Sequence, residues 1–160
     1  MKVIKINTRI ILCTMILLVC SAFSFGQSAD FFTEVLEAEK TTWEQAVFLV
    51  LGGSERIAIE AAPADAWQSF TDSGWFTKLP DPKSPITTAQ YSYIISKAFN
   101  VKGGLWYTLF KSQRYSYREL VHKGVVPGSF DPSSAVKGTE ALKIVDKAIS
   151  LFPVNNVEDK

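Results

Sequence analysis

Cysteine, histidine and long hydrophobic runs are scarce in this sequence of 160 residues. Its two cysteines are Cys13 and Cys20, and His122 is its only histidine. Beyond residue 20, therefore, the sequence predicts no disulfide and no zinc site built from cysteine and histidine. Basic and acidic residues nearly balance, 17 against 16, which excludes nucleic-acid binding through bulk positive charge. We expect no metal ion and no cofactor.

The longest apolar run lies near the N-terminus, at residues 10–20, after three basic residues and before the small residues Ser24 and Gly26. This order is typical of an export signal, so residues 1–26 are predicted to be a cleaved signal peptide. The run is shorter than the roughly 20 apolar residues of a spanning helix, and we expect no membrane span in the mature chain. A second possibility is a lipid tether at Cys20, because the sequence before it faintly resembles a bacterial lipoprotein site.

Removal of this segment changes the charge. The 17 basic residues fall to 14 while all 16 acids remain, because no acid precedes Asp30. The mature chain would then carry a small negative charge, no thiol and no glycosylation sequon, which favours a bacterial periplasmic or envelope location. About 134 residues would remain, enough to bury a core without disulfides.

A repeat is visible at an offset of 50 residues. Residues 81–86, Asp-Pro-Lys-Ser-Pro-Ile, match residues 131–136, Asp-Pro-Ser-Ser-Ala-Val. The apolar residues that follow recur at i, i+3, i+4, i+7 and i+8 in both copies, which is the stripe of an amphipathic helix. Each unit is therefore predicted to be a helix, a glycine stop at Gly74 or Gly124, a loop and a second helix.

A third, partial copy precedes these two. Thr41-Thr42-Trp43-Glu44 resembles Thr87-Thr88-Ala89-Gln90, and an apolar stretch follows both. Units this short must pack on one another, so the sequence predicts one all-α domain of five or six short helices in tandem helix–loop–helix repeats. Its predicted bounds are 41–152, with an N-terminal helix or linker at 27–40 and a flexible tail at 153–160. The residues predicted to form the core are Trp43, Trp67, Trp75, Ile94, Ile95, Phe99, Leu120, Ile144 and Val145.

The repeat resembles the S-layer homology repeat of bacterial envelope proteins. The resemblance rests on Ala66-Trp67, Gly74-Trp75, a loop of about ten residues, Pro85-Ile86-Thr87 and an apolar helix, and it spans about residues 41–149. It implies three helix–loop–helix units in a pseudo-threefold bundle. It also implies a domain that anchors exported proteins to cell-wall or peptidoglycan-linked polysaccharide.

This chain departs from that family at the start of the second helix, where the family typically reads Ile-Thr-Arg-Ala-Glu and its arginine contacts anionic polymer. The matching positions here are Thr88, Gly138 and, in the partial copy, Thr42. Threonine and glycine do not supply the forked donors of a guanidinium group. Lys137, next to Gly138, is the nearest substitute.

The stretch from Leu105 to Arg118 interleaves aromatic and basic side chains. Aromatic faces stack on sugar rings and cations hold anionic groups, so this stretch is a candidate ligand-binding site. The alternative is that its aromatic residues fill the core between repeats. Together with Lys137, the candidate ligand-binding residues are Trp106, Tyr107, Lys111, Arg114, Tyr115 and Arg118.

The sequence contains no recognisable catalytic motif, and we expect no catalytic residue. His122 lacks an identifiable partner, and the carboxylates stand in no known pattern. The sequence therefore predicts a non-enzymatic exported envelope module that binds another envelope protein or cell-wall polysaccharide. Two alternatives are a small periplasmic hydrolase acting on peptidoglycan through paired carboxylates and a purely structural subunit of an envelope assembly.

Overall fold

A computed structural model describes residues 30–58, 60–104, 108, 110 and 112–153. The predicted signal peptide at 1–26, Cys20 and tail residues 154–160 lie outside the described residues. The chain divides into two units, Met1–Glu34 and Val35–Lys160. Of the first unit, residues 30–34 are described and are helical, and the Phe31 and Phe32 rings lie 6.1 Å apart, edge to face.

The fold is all-α, as the sequence predicted. The described helices are α1 (30–37), α2 (Trp43–Gly53), α3 (Pro63–Asp72), α4 (Thr88–Ala98), α5 (Gln113–His122) and α6 (Gly138–Leu151). Helix α3 packs on α2 and helix α5 packs on α4. The second helix of one repeat therefore pairs with the first helix of the next repeat.

The sequence explains where these helices begin. In α2, the Thr42 hydroxyl accepts from the Gln45 N–H and the Gln45 side chain accepts from the Thr42 N–H, at 3.3 and 3.0 Å. Thr87 and Gln90 form the same capping box on α4, at 3.3 and 2.9 Å. Thr42 is thus the counterpart of Thr87, and the sequence alignment that matched Thr41 with Thr87 was wrong by one residue.

The predicted glycine stops are confirmed. Gly74 and Gly124 follow α3 and α5 and have φ values of +63° and +72°. This left-handed conformation is nearly free for glycine and costly for residues with a Cβ atom. It reverses the chain into the loops that lead to α4 and α6.

Three backbone hydrogen bonds join the three repeats in a closed ring. The Thr41 N–H donates to the Val136 carbonyl oxygen at 2.7 Å, Val136 to Ile86 at 3.1 Å, and Ile86 to Thr41 at 3.0 Å. Each residue stands two positions before its helix α2, α4 or α6. The ring therefore relates the starts of these three helices by an approximate threefold arrangement, which we call the hydrogen-bonded ring.

The core consists of the apolar stripes of α2, α4 and α6, with Ala66 and Phe70 from α3, Leu120 from α5 and several valine and isoleucine residues of the loops. Most of the predicted core lies in it, namely Trp43, Ile94, Ile95, Phe99, Leu120, Ile144 and Val145. Trp67 and Trp75 are exceptions, because both are half-exposed at the surface. The prediction that these two tryptophans belong to the core was therefore wrong, because each ring packs on the buried Phe70 and keeps part of its own surface exposed.

Candidate functional site

The N-termini of the repeat helices are occupied by backbone oxygens of the neighbouring loop. The Trp43 and Glu44 N–H groups donate to Ser84 and Pro82, each at 3.0 Å, and the Thr88 N–H donates to Ser134 at 2.9 Å. The first N–H groups of a helix have no partner within the helix and commonly bind anions. In this fold they donate to backbone carbonyl oxygens of the neighbouring loop instead.

The loops that supply these oxygens are fixed by an aspartate in each. Asp131 accepts from the Ser133 hydroxyl at 2.7 Å, the Ser133 N–H at 2.9 Å and the Ser134 hydroxyl at 3.1 Å. These bonds, those from Ser133 first, lower the pKa of the Asp131 carboxyl. Asp81 accepts in the same way from the Lys83 N–H at 2.9 Å.

The positions that match the family's arginine are enclosed. With the corrected alignment they are Trp43, Thr88 and Gly138, and all three are buried. At Gly138 a Cβ atom would overlap the Val35 carbonyl oxygen. A long cationic side chain at position 138 would therefore displace the backbone of residues 35–38. Lys137 is exposed and lies at the N-cap of α6, whereas the described basic candidates Arg114 and Arg118 lie on α5.

Of the aromatic and basic stretch, the structure describes residues 108, 110 and 112–118, and residues 113–118 belong to α5. Arg114 and Arg118 are exposed one turn apart, and the half-exposed Tyr115 lies between them in sequence. The Tyr115 ring stacks on Phe110 with centroids 5.5 Å apart and planes inclined by 20°. We call Phe110, Arg114, Tyr115 and Arg118 the basic aromatic face. The remaining candidates, Trp106, Tyr107 and Lys111, lie outside the described residues.

A second aromatic surface, for which the sequence carries no motif, lies between α2 and α4. The Arg56 side chain donates to the Ala98 and Lys97 carbonyl oxygens at 2.7 and 3.3 Å. Its guanidinium carbon lies 5.6 Å from the centroid of the Trp75 ring. Arg56 thus completes the C-terminal end of α4 while it covers a tryptophan. These residues are far apart in the chain, so only the fold could reveal this contact.

An open groove of about 490 Å³ runs along α6. Val125, Pro127, Phe130 and Ile144 give it an apolar lining, and Lys143 and Lys147 stand on its α6 side. Among the described residues, Glu140 is the only one in the lining that has a carboxyl group. The Glu140 carboxylate accepts from the Lys137 N–H at 3.2 Å and so belongs to the start of α6.

Titratable groups in the described parts of the chain do not form a metal site. No group of three histidine, aspartate or glutamate side chains among residues 30–58, 60–104 and 112–153 is placed to hold a metal ion. His122 is the last residue of α5. Burial raises the pKa of Tyr91 well above 10, so its hydroxyl serves as a hydrogen-bond donor.

None of the helices in the described part of the chain is both long enough and apolar enough to cross a membrane. Comparisons with protein-family models, with curated proteins and with solved structures find no match to this chain.

Proposed function

We propose that this chain is a non-enzymatic binding module of the bacterial envelope that binds anionic cell-wall polysaccharide. The observation that carries the proposal is the basic aromatic face of α5. Two exposed arginines, Arg114 and Arg118, lie on the same helix as Tyr115, whose ring stacks on Phe110. Guanidinium groups bind carboxylates and phosphates through paired N–H donors, and aromatic rings cover the apolar face of a sugar.

The positive charges of Arg114 and Arg118 support this proposal because their positions on α5 destabilise the helix. Arg114 lies in the first turn of α5, which contains no acidic residue, so its charge opposes the helix dipole. Arg114 and Arg118 are also separated by four residues, a spacing at which like charges repel. An anionic ligand would reverse both penalties.

The enclosed helix starts support a binding site away from the repeat motif. Trp43, Thr88 and Gly138 occupy the arginine positions and are buried, and the adjacent N–H groups donate to Ser84 and Ser134 among other residues. The polymer site that the family resemblance implied is therefore proposed to be replaced by the outer face of α5.

The experiment that tests this proposal is sedimentation of the purified protein with isolated peptidoglycan sacculi at low and moderate salt. We expect co-sedimentation at low salt that weakens as salt rises, because salt screens exposed charges. Arg114→Gln with Arg118→Gln should abolish it. The matched control is Lys40→Gln with Lys78→Gln, which removes two exposed positive charges elsewhere and should leave binding unchanged.

Two results would contradict the proposal. One is the absence of co-sedimentation at low salt, which would favour an envelope protein as the partner. The other is equal loss of binding in both double variants, which would indicate attraction by overall charge. The thermal unfolding midpoint of each variant shows that the fold is intact.

A further inference from the structure

The groove along α6 exists because the two complete repeats differ at a few equivalent positions. Its residues belong to the later repeat, and each has a counterpart 50 residues earlier. Four pairs of equivalent positions lie in or next to the groove, three of which differ and one of which is lysine in both repeats, and the earlier residue is given first. They are Phe76 and Val126, Pro80 and Phe130, Tyr93 and Lys143, and Lys97 and Lys147.

The earlier repeat places an aromatic ring at this point. The Tyr93 ring lies edge to face with Phe76, with centroids 5.2 Å apart. The Tyr93 hydroxyl donates to the Trp75 carbonyl oxygen at 3.2 Å. The Lys97 ammonium nitrogen lies 5.4 Å from the centroid of the same ring. The Tyr93 ring therefore contacts both the Phe76 ring and the Lys97 ammonium group.

The later repeat keeps the cation and lacks the ring. Lys147 takes the place of Lys97, but Lys143 stands where Tyr93 would be and Val126 replaces Phe76. The groove opens at this position, and Phe130 adds an aromatic ring to its lining. Lys143 and Lys147 are both exposed, and neither has an ion pair within the described residues.

We propose that this groove binds an aromatic side chain of a partner protein, with an acidic residue next to it in the partner's sequence. The partner's ring takes the place that Tyr93 has in the earlier repeat, against Pro127 and Phe130 and close to Lys147. The adjacent carboxylate pairs with Lys143. This site is separate from the basic aromatic face and takes a different ligand.

The lining favours such a side chain over a sugar. The accessible apolar lining comes from Pro127 and Phe130, whose side chains offer no hydrogen-bond partner, so the hydroxyl groups of a sugar would lose water there without compensation. An aromatic ring loses little on entering this lining, and it gains the ring contact with Phe130 and the attraction of a cation. The two lysines outnumber the one carboxylate among the described lining residues, Glu140, and so favour negative charge beside the ring.

The test is a titration of the purified protein, followed by the NMR shifts of its backbone amides, with three capped tripeptides. The first peptide is Asp-Tyr-Glu, the second is the neutral Asn-Tyr-Gln and the third is Asp-Ala-Glu. We expect the first to cause saturable shifts centred on Val125, Phe130, Lys143 and Lys147. The neutral peptide should bind about two- to fivefold more weakly, as expected for exposed charge pairs. The peptide without a ring should cause no saturable shift.

Two variants test the site itself. Lys143→Tyr restores the ring of the earlier repeat and should abolish binding, because the groove then fills itself. Lys147→Gln should weaken binding of Asp-Tyr-Glu about two- to fivefold without filling the groove. The matched control is Lys97→Gln, which removes the equivalent cation of the earlier repeat and should leave the affinity unchanged.

Several outcomes would overturn the proposal. They are shifts centred on another surface, equal affinity for the tyrosine and alanine peptides, undiminished binding in Lys143→Tyr, and no saturable shift with any peptide. Saturable shifts in the groove with soluble peptidoglycan fragments, and none with the peptides, would assign it to the wall polymer instead. None of these outcomes depends on sedimentation with sacculi, so the two proposals succeed or fail separately.

Discussion

The Tyr91 hydroxyl donates a hydrogen bond to the Ala141 carbonyl oxygen, 2.9 Å away and 50 residues later in the chain. These two residues occupy the same position in successive repeats, and Ala46 is their counterpart in α2. All three are completely buried. One large side chain and two small ones thus occupy equivalent buried positions on three helices. The repeats therefore differ in side-chain size even at a position that is buried in all three.

Replacement of Tyr91 by phenylalanine should destabilise the protein by about 1–2 kcal/mol. The ring still fills the core, but the hydrogen bond to Ala141 is lost in a site that water does not reach. Urea unfolding measures this change. Tyr93→Phe is the matched control, because its hydroxyl bonds to Trp75 at the surface and should matter less. Equal losses in the two variants would show that burial does not strengthen the Tyr91 bond.

The same hydroxyl predicts a loss of stability at alkaline pH. Burial raises the pKa of Tyr91 in the folded state, whereas in the unfolded state it is about 10. Above pH 10 the unfolded chain releases this proton and the folded protein retains it, so unfolding becomes more favourable by up to about 1.4 kcal/mol per pH unit. Below pH 10 the contribution is fully present. The stability difference between the wild type and Tyr91→Phe should therefore shrink between pH 10 and 11.5, and a constant difference would contradict this explanation.

Thr41→Val should stabilise the protein. Thr41 is fully buried in the hydrogen-bonded ring, where its counterparts are Ile86 and Val136. Its hydroxyl has no hydrogen-bond partner among the described residues, so it has lost water without replacement. Valine has nearly the same shape and no hydroxyl, and we expect a gain of about 1 kcal/mol in the free energy of unfolding.

The neighbouring threonine provides the control for this prediction. Thr42→Val removes the hydroxyl that caps α2 and should cost about 1 kcal/mol. Urea unfolding of both variants should therefore show opposite signs at adjacent positions. A loss of stability in Thr41→Val would indicate that its hydroxyl has a partner after all.

The helices and glycine stops could be predicted because their signals are local. An apolar stripe, a capping box and a glycine after the stripe each involve a few neighbouring residues. The alignment of the first repeat could not be decided in this way, since Thr41 with Glu44 and Thr42 with Gln45 both fit a capping box. The structure decides it through the bond from the Thr41 N–H to Val136, which is far away in sequence.

The candidate sites were harder to predict for the same reason. A cluster of arginine and aromatic residues along one helix is visible in sequence, and Arg114 and Tyr115 do lie at the surface of α5. The contact of Arg56 with Trp75 joins residues from different parts of the fold, and no repeat pattern indicates it. Prediction of the groove would have required the alignment of the two repeats. It would also have required the knowledge that the Tyr93 ring occupies, in the earlier repeat, the position of Lys143.

Gly138→Ala should destabilise the protein although it adds only one methyl group. A Cβ atom at this position would overlap the Val35 carbonyl oxygen, and the Gly138 N–H donates to the Ala38 carbonyl oxygen at 2.9 Å. Backbone cannot yield as a flexible side chain can, so residues 35–38 must move away from α6. We expect a loss of about 1–3 kcal/mol, measured by urea unfolding, with faster hydrogen exchange at Thr41.

The control is Gly52→Ala in α2, where a Cβ atom meets nothing within 4 Å. Alanine should there raise the free energy of unfolding by about 0.5–1 kcal/mol. If Gly138→Ala matched the control, the close approach of residues 35–38 to α6 would not exist in solution.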